Sequence, residues 1–208
     1  MKETAVREQY DKNANTYDRR WSSYLAKTLS FLQSWAQIDP DQTVLDVACG
    51  TGELERLLLQ ENPQQKITGV DISEEMLEVA KQKLSAYPQV SWKTARASKL
   101  PFNNCSFDVV VCASSFHYFD DPHASLREIK RVLNSDGSLI ILDWCKDYIT
   151  LQILDLILKV FDPAYQRCYT QNEFHNLLTT AGFKMNRTAK FRDGIWGFAI
   201  AEAVLPER

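Results

Sequence analysis

The sequence predicts an α/β protein of the Rossmann-like, doubly wound type, a mostly parallel sheet with helices on both faces. Three observations predict it. Between about residues 43 and 143, short apolar runs alternate with helix-like segments, which is the βαβ pattern. The runs are dense in Val, Ile and Leu, as strands buried on both faces require. The first of them leads directly into a turn, Ala48-Cys49-Gly50-Thr51-Gly52, that opens a helix.

Taken in order, residues 3–37 read as helix, because Tyr10, Ala14, Tyr17, Trp21, Tyr24 and Leu25 recur at three- and four-residue steps. Strands are expected at Thr43–Val47, Lys66–Asp71, Val90–Thr94, Phe107–Ala113 and Ser138–Asp143. Between them lie helices at about Glu53–Gln60, Glu74–Ala86 and His123–Leu133, the second capped by Ser73 with Glu74 and Glu75 at its positive end. Thr150–Phe161 is densely apolar with Gln152, Asp155 and Lys159 on one narrow polar face, so it is expected to be buried on most sides or to line a pocket. Thr170 and Glu173 form a capping box, and Gly182 ends the helix that follows. Phe183–Thr188 and Gly194–Val204 then read as an antiparallel pair at a sheet edge. The expected organisation is a single domain over 1–208. It comprises an N-terminal helical lid (1–37), a cofactor-binding core (43–143), and C-terminal helices and edge strands (144–208).

Composition narrows the partners. At 208 residues and 23.9 kDa the chain suits one domain burying roughly 70 % of its unfolded surface. A net charge of -3, with no basic stripe carrying interleaved aromatics, argues against nucleic acid. The N-terminus has no apolar signal region and no stretch is long enough to span a bilayer, so a cytoplasmic protein is expected. Five cysteines without a C-x-x-C pair predict reduced thiols and neither a disulfide framework nor a metal site. Oligomeric state is not indicated.

The glycine turn carries most of the functional signal. A dinucleotide fingerprint places a third glycine three residues after the second, where this chain has Glu55. Asp46, just before the turn, would repel a pyrophosphate but suits a ligand with a cationic end, and S-adenosylmethionine has both an ammonium and a sulfonium. Asp71 ends the second strand, where an acidic side chain reaches ribose hydroxyls; its alternative role, capping the next helix, is already filled by Ser73. An NAD-dependent oxidoreductase would explain the alternating core and Asp71 but leaves Asp46 unexplained. A cofactor-binding module without catalysis would keep the turn and lack a substrate cavity.

Downstream lie Leu100-Pro101-Phe102, Phe107-Asp108-Val109-Val110 and Arg131-Val132-Leu133 followed by Gly137. With the turn and Asp71, these make the chain resemble the class I S-adenosylmethionine-dependent methyltransferases, especially the ubiquinone/menaquinone-type and other small-molecule enzymes. The resemblance implies a seven-stranded sheet with the last strand antiparallel, the cofactor S-adenosyl-L-methionine with S-adenosyl-L-homocysteine as product, and a small-molecule methyl acceptor. It implies that Asp46, Ala48, Gly50 and Gly52 surround the methionine part of the cofactor and Asp71 its ribose. Ile72 and Met76 would cover one adenine face, Ala97 and Ser98 would meet the adenine edge through backbone N–H, and Ser114 and Ser115 would lie beneath the sulfonium. Tyr17, within Tyr10-Asp11-x-x-Ala14-x-x-Tyr17-Asp18, is similar to the family's cofactor-covering helix. Two positions depart from the pattern. Ala48 replaces a common glycine and is expected at negative φ, and Arg96 stands where relatives often carry an adenine-binding Asp.

Methyl transfer is an in-line displacement, so positioning a nucleophile in a dry pocket supplies most of the catalysis. Phe116-His117-Tyr118-Phe119 fits such a wall, and His117 has the intrinsic pKa for a general base; a positioning or packing role is its alternative. Asp143, Trp144 and Tyr148 are further pocket candidates.

Overall fold

The computed structural model describes residues 2–206. Its elements are α1 (Lys2–Ala36), β1 (Thr43–Val47), α2 (Glu53–Glu61), β2 (Lys66–Asp71), α3 (Glu74–Lys83), β3 (Ser91–Thr94), β4 (Phe107–Ala113) and a 3₁₀ turn (Phe116–Tyr118). They continue with α4 (Pro122–Val132), β5 (Leu133–Trp144), α5 (Ile149–Phe161), α6 (Gln171–Thr180), β6 (Lys184–Asp193) and β7 (Trp196–Val204). The strands form one seven-stranded sheet in the order β3-β2-β1-β4-β5-β7-β6. β1 to β5 pair in parallel, and β7 runs antiparallel to both of its neighbours.

Side chains alternate across this sheet, and the two faces make two cores. Val44, Val109, Val111, Ile140, Leu142 and Phe198 pack beneath α1 and α2, meeting Leu29, Leu32, Leu54 and Leu58. Leu45, Val110, Cys112, Leu139 and Ile141 face the other way, onto Leu126 and Ile129 of α4 and Phe174 and Leu178 of α6. Each such fully buried side chain contributes roughly 1.5–3 kcal/mol. The caps fall where the polar residues predict: the Ser73 hydroxyl accepts from Met76 N–H, and Thr170 and Glu173 bond reciprocally as a capping box.

The final strands form the expected antiparallel pair at the sheet edge, β7 lying against β5 and β6 outermost. Three other expectations are corrected. Gly194 does not begin β7: Asp193 pairs with Trp196, so Gly194-Ile195 is a two-residue turn with glycine at φ +57. β5 starts at Leu133, five residues early, its register with β4 shifting between Phe107 and Val109. The third concerns α5, which turns its apolar side outward. Ile149, Leu156, Val160 and Phe161 are exposed, while Asp155, expected on the solvent side, is buried.

Candidate active site

The open strand order reverses between β1 and β4, and a cavity lies above the carboxyl ends of these strands, where open α/β sheets bind ligands. It encloses about 1130 Å³, partly continuous with solvent. β1 delivers Asp46 and, through the turn, Ala48 and Gly50; β2 delivers Asp71 and Ile72; β4 delivers Ser114 and Ser115. Met76 of α3, Ala97 and Ser98 of the loop after β3, and Tyr17 of α1 complete the walls named by the sequence. Gly52 is the exception. It is the N-cap of α2 at φ +76 and faces away from the cavity, where a Cβ would come within 2.9 Å of the Trp92 ring.

Backbone strain concentrates here. Ala48 adopts φ +62 and Ser114 φ +53, so both cavity-facing strand ends hold a non-glycine residue in the left-handed region. The negative φ expected at Ala48 is therefore wrong. Ala48 and Cys49 both donate N–H to Val70 O, at 2.8 and 3.0 Å, and this pairing forces the turn that glycine adopts more cheaply.

The electrostatics of the floor are unusual. Asp46 is buried and its Oδ1 has no hydrogen-bond partner among the described residues. Burial, reinforced by the charge of Asp71, raises its pKa to about 8. Beneath it Glu55, at the position of the absent third glycine, is fully buried with both oxygens unpartnered, against Gly69. Burial and the nearby Asp46 push its carboxyl well above the ordinary range. An orphaned, partly protonated carboxyl at a cavity floor calls for a cationic ligand group, and a Cβ-free Gly50 with open space beside it leaves room for one. Asp71 holds its own local structure as well, accepting from Gly50 N–H and Ser73 N–H at 2.9 Å each. Its helix-entry role and its exposure to the cavity coexist, since each oxygen retains a second lone pair.

α1 closes the cavity from above. Asp11 accepts from the Ser73 hydroxyl, and Asp18 accepts from the Thr51 hydroxyl and pairs with Lys83. Tyr10 and Tyr17 face inward, half-buried, and desolvation raises their phenol pKa values. Arg96 does not line this cavity. Its guanidinium is 64 % exposed and pairs with Glu3 of α1 at 2.9 Å, so it ties the helix start to the loop after β3.

A second, aromatic cavity adjoins the first and shares Tyr10, Tyr17, Ser114 and Tyr118 with it. His117 belongs here and not in the first. Its ring stacks on Trp144 with centroids 4.1 Å apart, and Trp144 stacks on Trp196 at 5.3 Å. Asp143 holds it twice, accepting from His117 N–H at 2.8 Å and meeting Nδ1 at 2.6 Å. A carboxylate accepts, so Nδ1 is the donor in this contact, and Nε2 has no partner among the described residues. Trp144 Nε1 donates to Tyr24 Oη and Tyr24 donates to Ser114 Oγ, leaving the Ser114 hydroxyl proton free to point into the shared space. Phe116 turns into the opposite core, and Tyr148 lies over Gly197 of β7 instead of lining either cavity. The role of Tyr24 was not evident from the sequence, whose only hint was its place in the aromatic stripe of α1, whereas Tyr118 lines both cavities in keeping with its expected place in the aromatic wall.

Comparison with known proteins agrees with this architecture. A family model described as a methyltransferase domain matches residues 45–141. The demethylmenaquinone methyltransferase of Thermotoga maritima is 40% identical over 107 residues, covering 51% of this chain and 45% of that protein. The ubiquinone/menaquinone biosynthesis C-methyltransferase of Geotalea uraniireducens is 28% identical over 190 residues, 80% of this chain and 78% of the relative. Among solved structures, magnesium protoporphyrin IX methyltransferase from Synechocystis PCC 6803 with bound S-adenosylhomocysteine superposes with a TM-score of 0.76 at 20% identity, covering 99% of this chain and 100% of that one. With the glycine turn, the two acidic strand ends and the 3-2-1-4-5-7-6 sheet, these matches show a methyltransferase domain over residues 45–141, in the fold shared by S-adenosylmethionine-dependent methyltransferases.

Proposed function

We propose that this protein transfers the methyl group of S-adenosylmethionine to a small-molecule acceptor held in the aromatic cavity, with His117 accepting the acceptor's proton. The observation that carries the reading is the orphaned Asp46 carboxyl at the floor of a cavity that opens, across Ser114, onto a second one containing an orphaned His117 Nε2. When bound, S-adenosylmethionine supplies an electrophilic methyl on a positively charged sulfur.

Asp46 holds the cationic amino end of the cofactor and Asp71 accepts from ribose hydroxyls. Ala48 and Gly50 bring backbone close to the methionine portion. Ile72 and Met76 cover one face of the adenine, whose edge meets the backbone N–H groups of Ala97 and Ser98. Ser114 and Ser115 support the junction between the cavities. Tyr17, with Tyr10, excludes water from above, which strengthens the electrostatic interactions inside. In the second cavity His117, stacked on Trp144 and held by Asp143, presents Nε2 to the acceptor's nucleophilic group and takes its proton. The surrounding rings of Trp21, Tyr24, Tyr118 and Trp144 favour a flat apolar body behind that group.

The test couples binding with turnover. S-adenosylhomocysteine at millimolar concentration should raise the melting temperature, and labelled methyl from S-adenosylmethionine should pass to a member of a metabolite panel that includes quinols and other hydroxylated aromatic compounds. No thermal shift would defeat the cofactor assignment. A shift without transfer to any panel member, together with an Asp143→Asn variant identical to wild type in every binding assay, would leave the chain a cofactor-binding module.

A further inference from the structure

The most unexpected surface of the molecule is α5. Ile149, Ile153, Leu156 and Val160 succeed one another at steps of four, three and four residues, the spacing of a seam that packs against another helix. All four are exposed, Ile149 at 73 %, Ile153 at 55 %, Leu156 at 66 % and Val160 at 74 %. Ile157 and Phe161 of the same helix and Ile195 at the neighbouring β6–β7 turn widen the patch. The turn is fastened to the helix by the Thr150 hydroxyl, which donates to Ile195 O at 2.6 Å.

The rotation of α5 is fixed. Asp155 is 1 % exposed and accepts from the Tyr165 hydroxyl at 2.8 Å and from Cys168 N–H at 3.1 Å, while Lys159 and Lys146 pair with it at 2.7 and 3.0 Å. Rotating the apolar seam inward would expose this carboxylate and strand the groups that bond to it. Its outward face is therefore a stable property of the fold.

We infer that the α5 face, with Ile195 at its margin, is the interface of a homodimer in which α5 of one copy packs on α5 of a second. The exposed apolar area is on the order of 800 Å², which matches what each partner contributes to a standard protein–protein interface and exceeds the largest patch of an ordinary monomer. A two-fold axis through the seam pairs the face with itself, as an isologous contact requires. Three of the four seam residues, Ile149, Ile153 and Val160, are β-branched and the fourth is Leu156, a composition that packs as knobs into holes against a like helix. A lipid surface is the poorer partner. Interfacial helices carry Lys and Arg along their polar face, whereas α5 has Lys159 alone, already paired with Asp155, on a chain of net charge -3.

Sedimentation equilibrium of the full chain between about 1 and 100 μM tests the inference. Wild type should sediment as a dimer, and the double variant Leu156→Glu, Val160→Glu should dissociate at least a hundredfold more readily while keeping its circular dichroism spectrum. Because two buried-by-dimer glutamates could also disturb folding, Ile153→Cys provides a second reading, and mild oxidation should crosslink it to a covalent dimer. A monomeric wild type over the whole range overturns the inference, as does a dimer that survives the double substitution. A monomer that co-floats with phosphatidylcholine vesicles overturns it in favour of a lipid surface.

Discussion

In the proposed placement of the cofactor, Asp46 makes its binding a proton-releasing reaction. Its carboxyl is raised to about 8 by burial and by Asp71, so about 0.9 of it is protonated at pH 7 in the unliganded protein. A cationic amino group against the orphaned Oδ1 reverses the balance, stabilising the carboxylate and expelling the proton. The sign for the unliganded protein follows from the same shift. A carboxyl whose folded pKa exceeds its unfolded value stabilises the fold fully below about pH 4, and that contribution is lost as pH rises toward about 8, at up to about 1.4 kcal/mol per unit. Affinity for the cofactor moves the other way, rising by up to about tenfold per unit between pH 6 and 8 and levelling above it. Titration calorimetry with S-adenosylhomocysteine at pH 7, in phosphate and in Tris, reads the proton directly: the observed enthalpies should differ by about 0.9 of the difference in buffer ionisation enthalpy. Asp46→Asn should bind about ten- to a hundredfold more weakly, from loss of a charge-assisted bond, and show no buffer dependence. Glu55→Gln separates the contribution of the neighbouring carboxyl. Equal enthalpies in the two buffers for wild type would refute the reasoning, because Asp46 would then be ionised before the ligand arrives.

Three other outcomes are expected. Ala48→Gly removes a left-handed alanine and should stabilise the fold by about 0.5–1 kcal/mol, net of the greater backbone entropy of glycine, as a rise in urea midpoint at unchanged slope. Arg96→Asp should bring no gain in cofactor affinity, since Arg96 pairs with Glu3 on the surface and does not line the cavity; Arg96→Ala should alter affinity by less than about threefold by calorimetry, and a tighter-binding Asp variant would show that the guanidinium occupies the adenine edge instead. His117→Ala should lower kcat by about 10²- to 10⁴-fold while S-adenosylhomocysteine affinity stays within about twofold; Asp143→Asn should act in the same direction, and an unchanged kcat in both variants would assign His117 to packing alone.

The parallel core was legible because its signals are local: Asp46, Gly50 and Asp71 lie at strand ends that apolar runs already mark, and Ser73 and Thr170 cap the helices that follow. What escaped depends on groups remote in sequence. The periodicity of 150–161 says which side chains share a face but not which face turns inward; that is decided by Tyr165 and Cys168, which bond to Asp155 from the following loop. Gly52 looked like a ligand-facing glycine, yet its missing Cβ makes room for Trp92, forty residues away. The conformation of Ala48 was hidden by its identity, since alanine ordinarily avoids positive φ and only the Val70 carbonyl across the sheet imposes it. The pairing of His117 with Asp143 spans 26 residues and joins the ends of neighbouring strands, which a linear motif does not reveal. The direction of Arg96 was left open by the sequence, because only its pairing with Glu3 of α1, remote in the chain, turns it to the surface.

The insertion of β7 between β5 and β6 has a consequence for synthesis. β5 pairs with β7 along Ser138–Trp144, and β6 pairs with β7 over its whole length, so neither has another strand on that side until residues 196–204 have emerged from the ribosome. β1 to β5 can assemble earlier, as each parallel partner is already present, but they carry an unpaired β5 edge of apolar Leu139–Leu142 while they wait. At elongation rates of about 5–20 residues per second, the interval from Trp144 to Val204 lasts about 3–12 s, long compared with hairpin formation. β6 cannot cover that edge in β7's place, since it contributes alternating half-exposed residues such as Lys184, Arg187 and Lys190 instead of a continuous apolar strand. The nascent chain therefore presents a chaperone-binding edge for seconds, and a stalled or truncated product ending before Trp196 retains it permanently, an aggregation-prone species whose first 190 residues are otherwise those of the native protein.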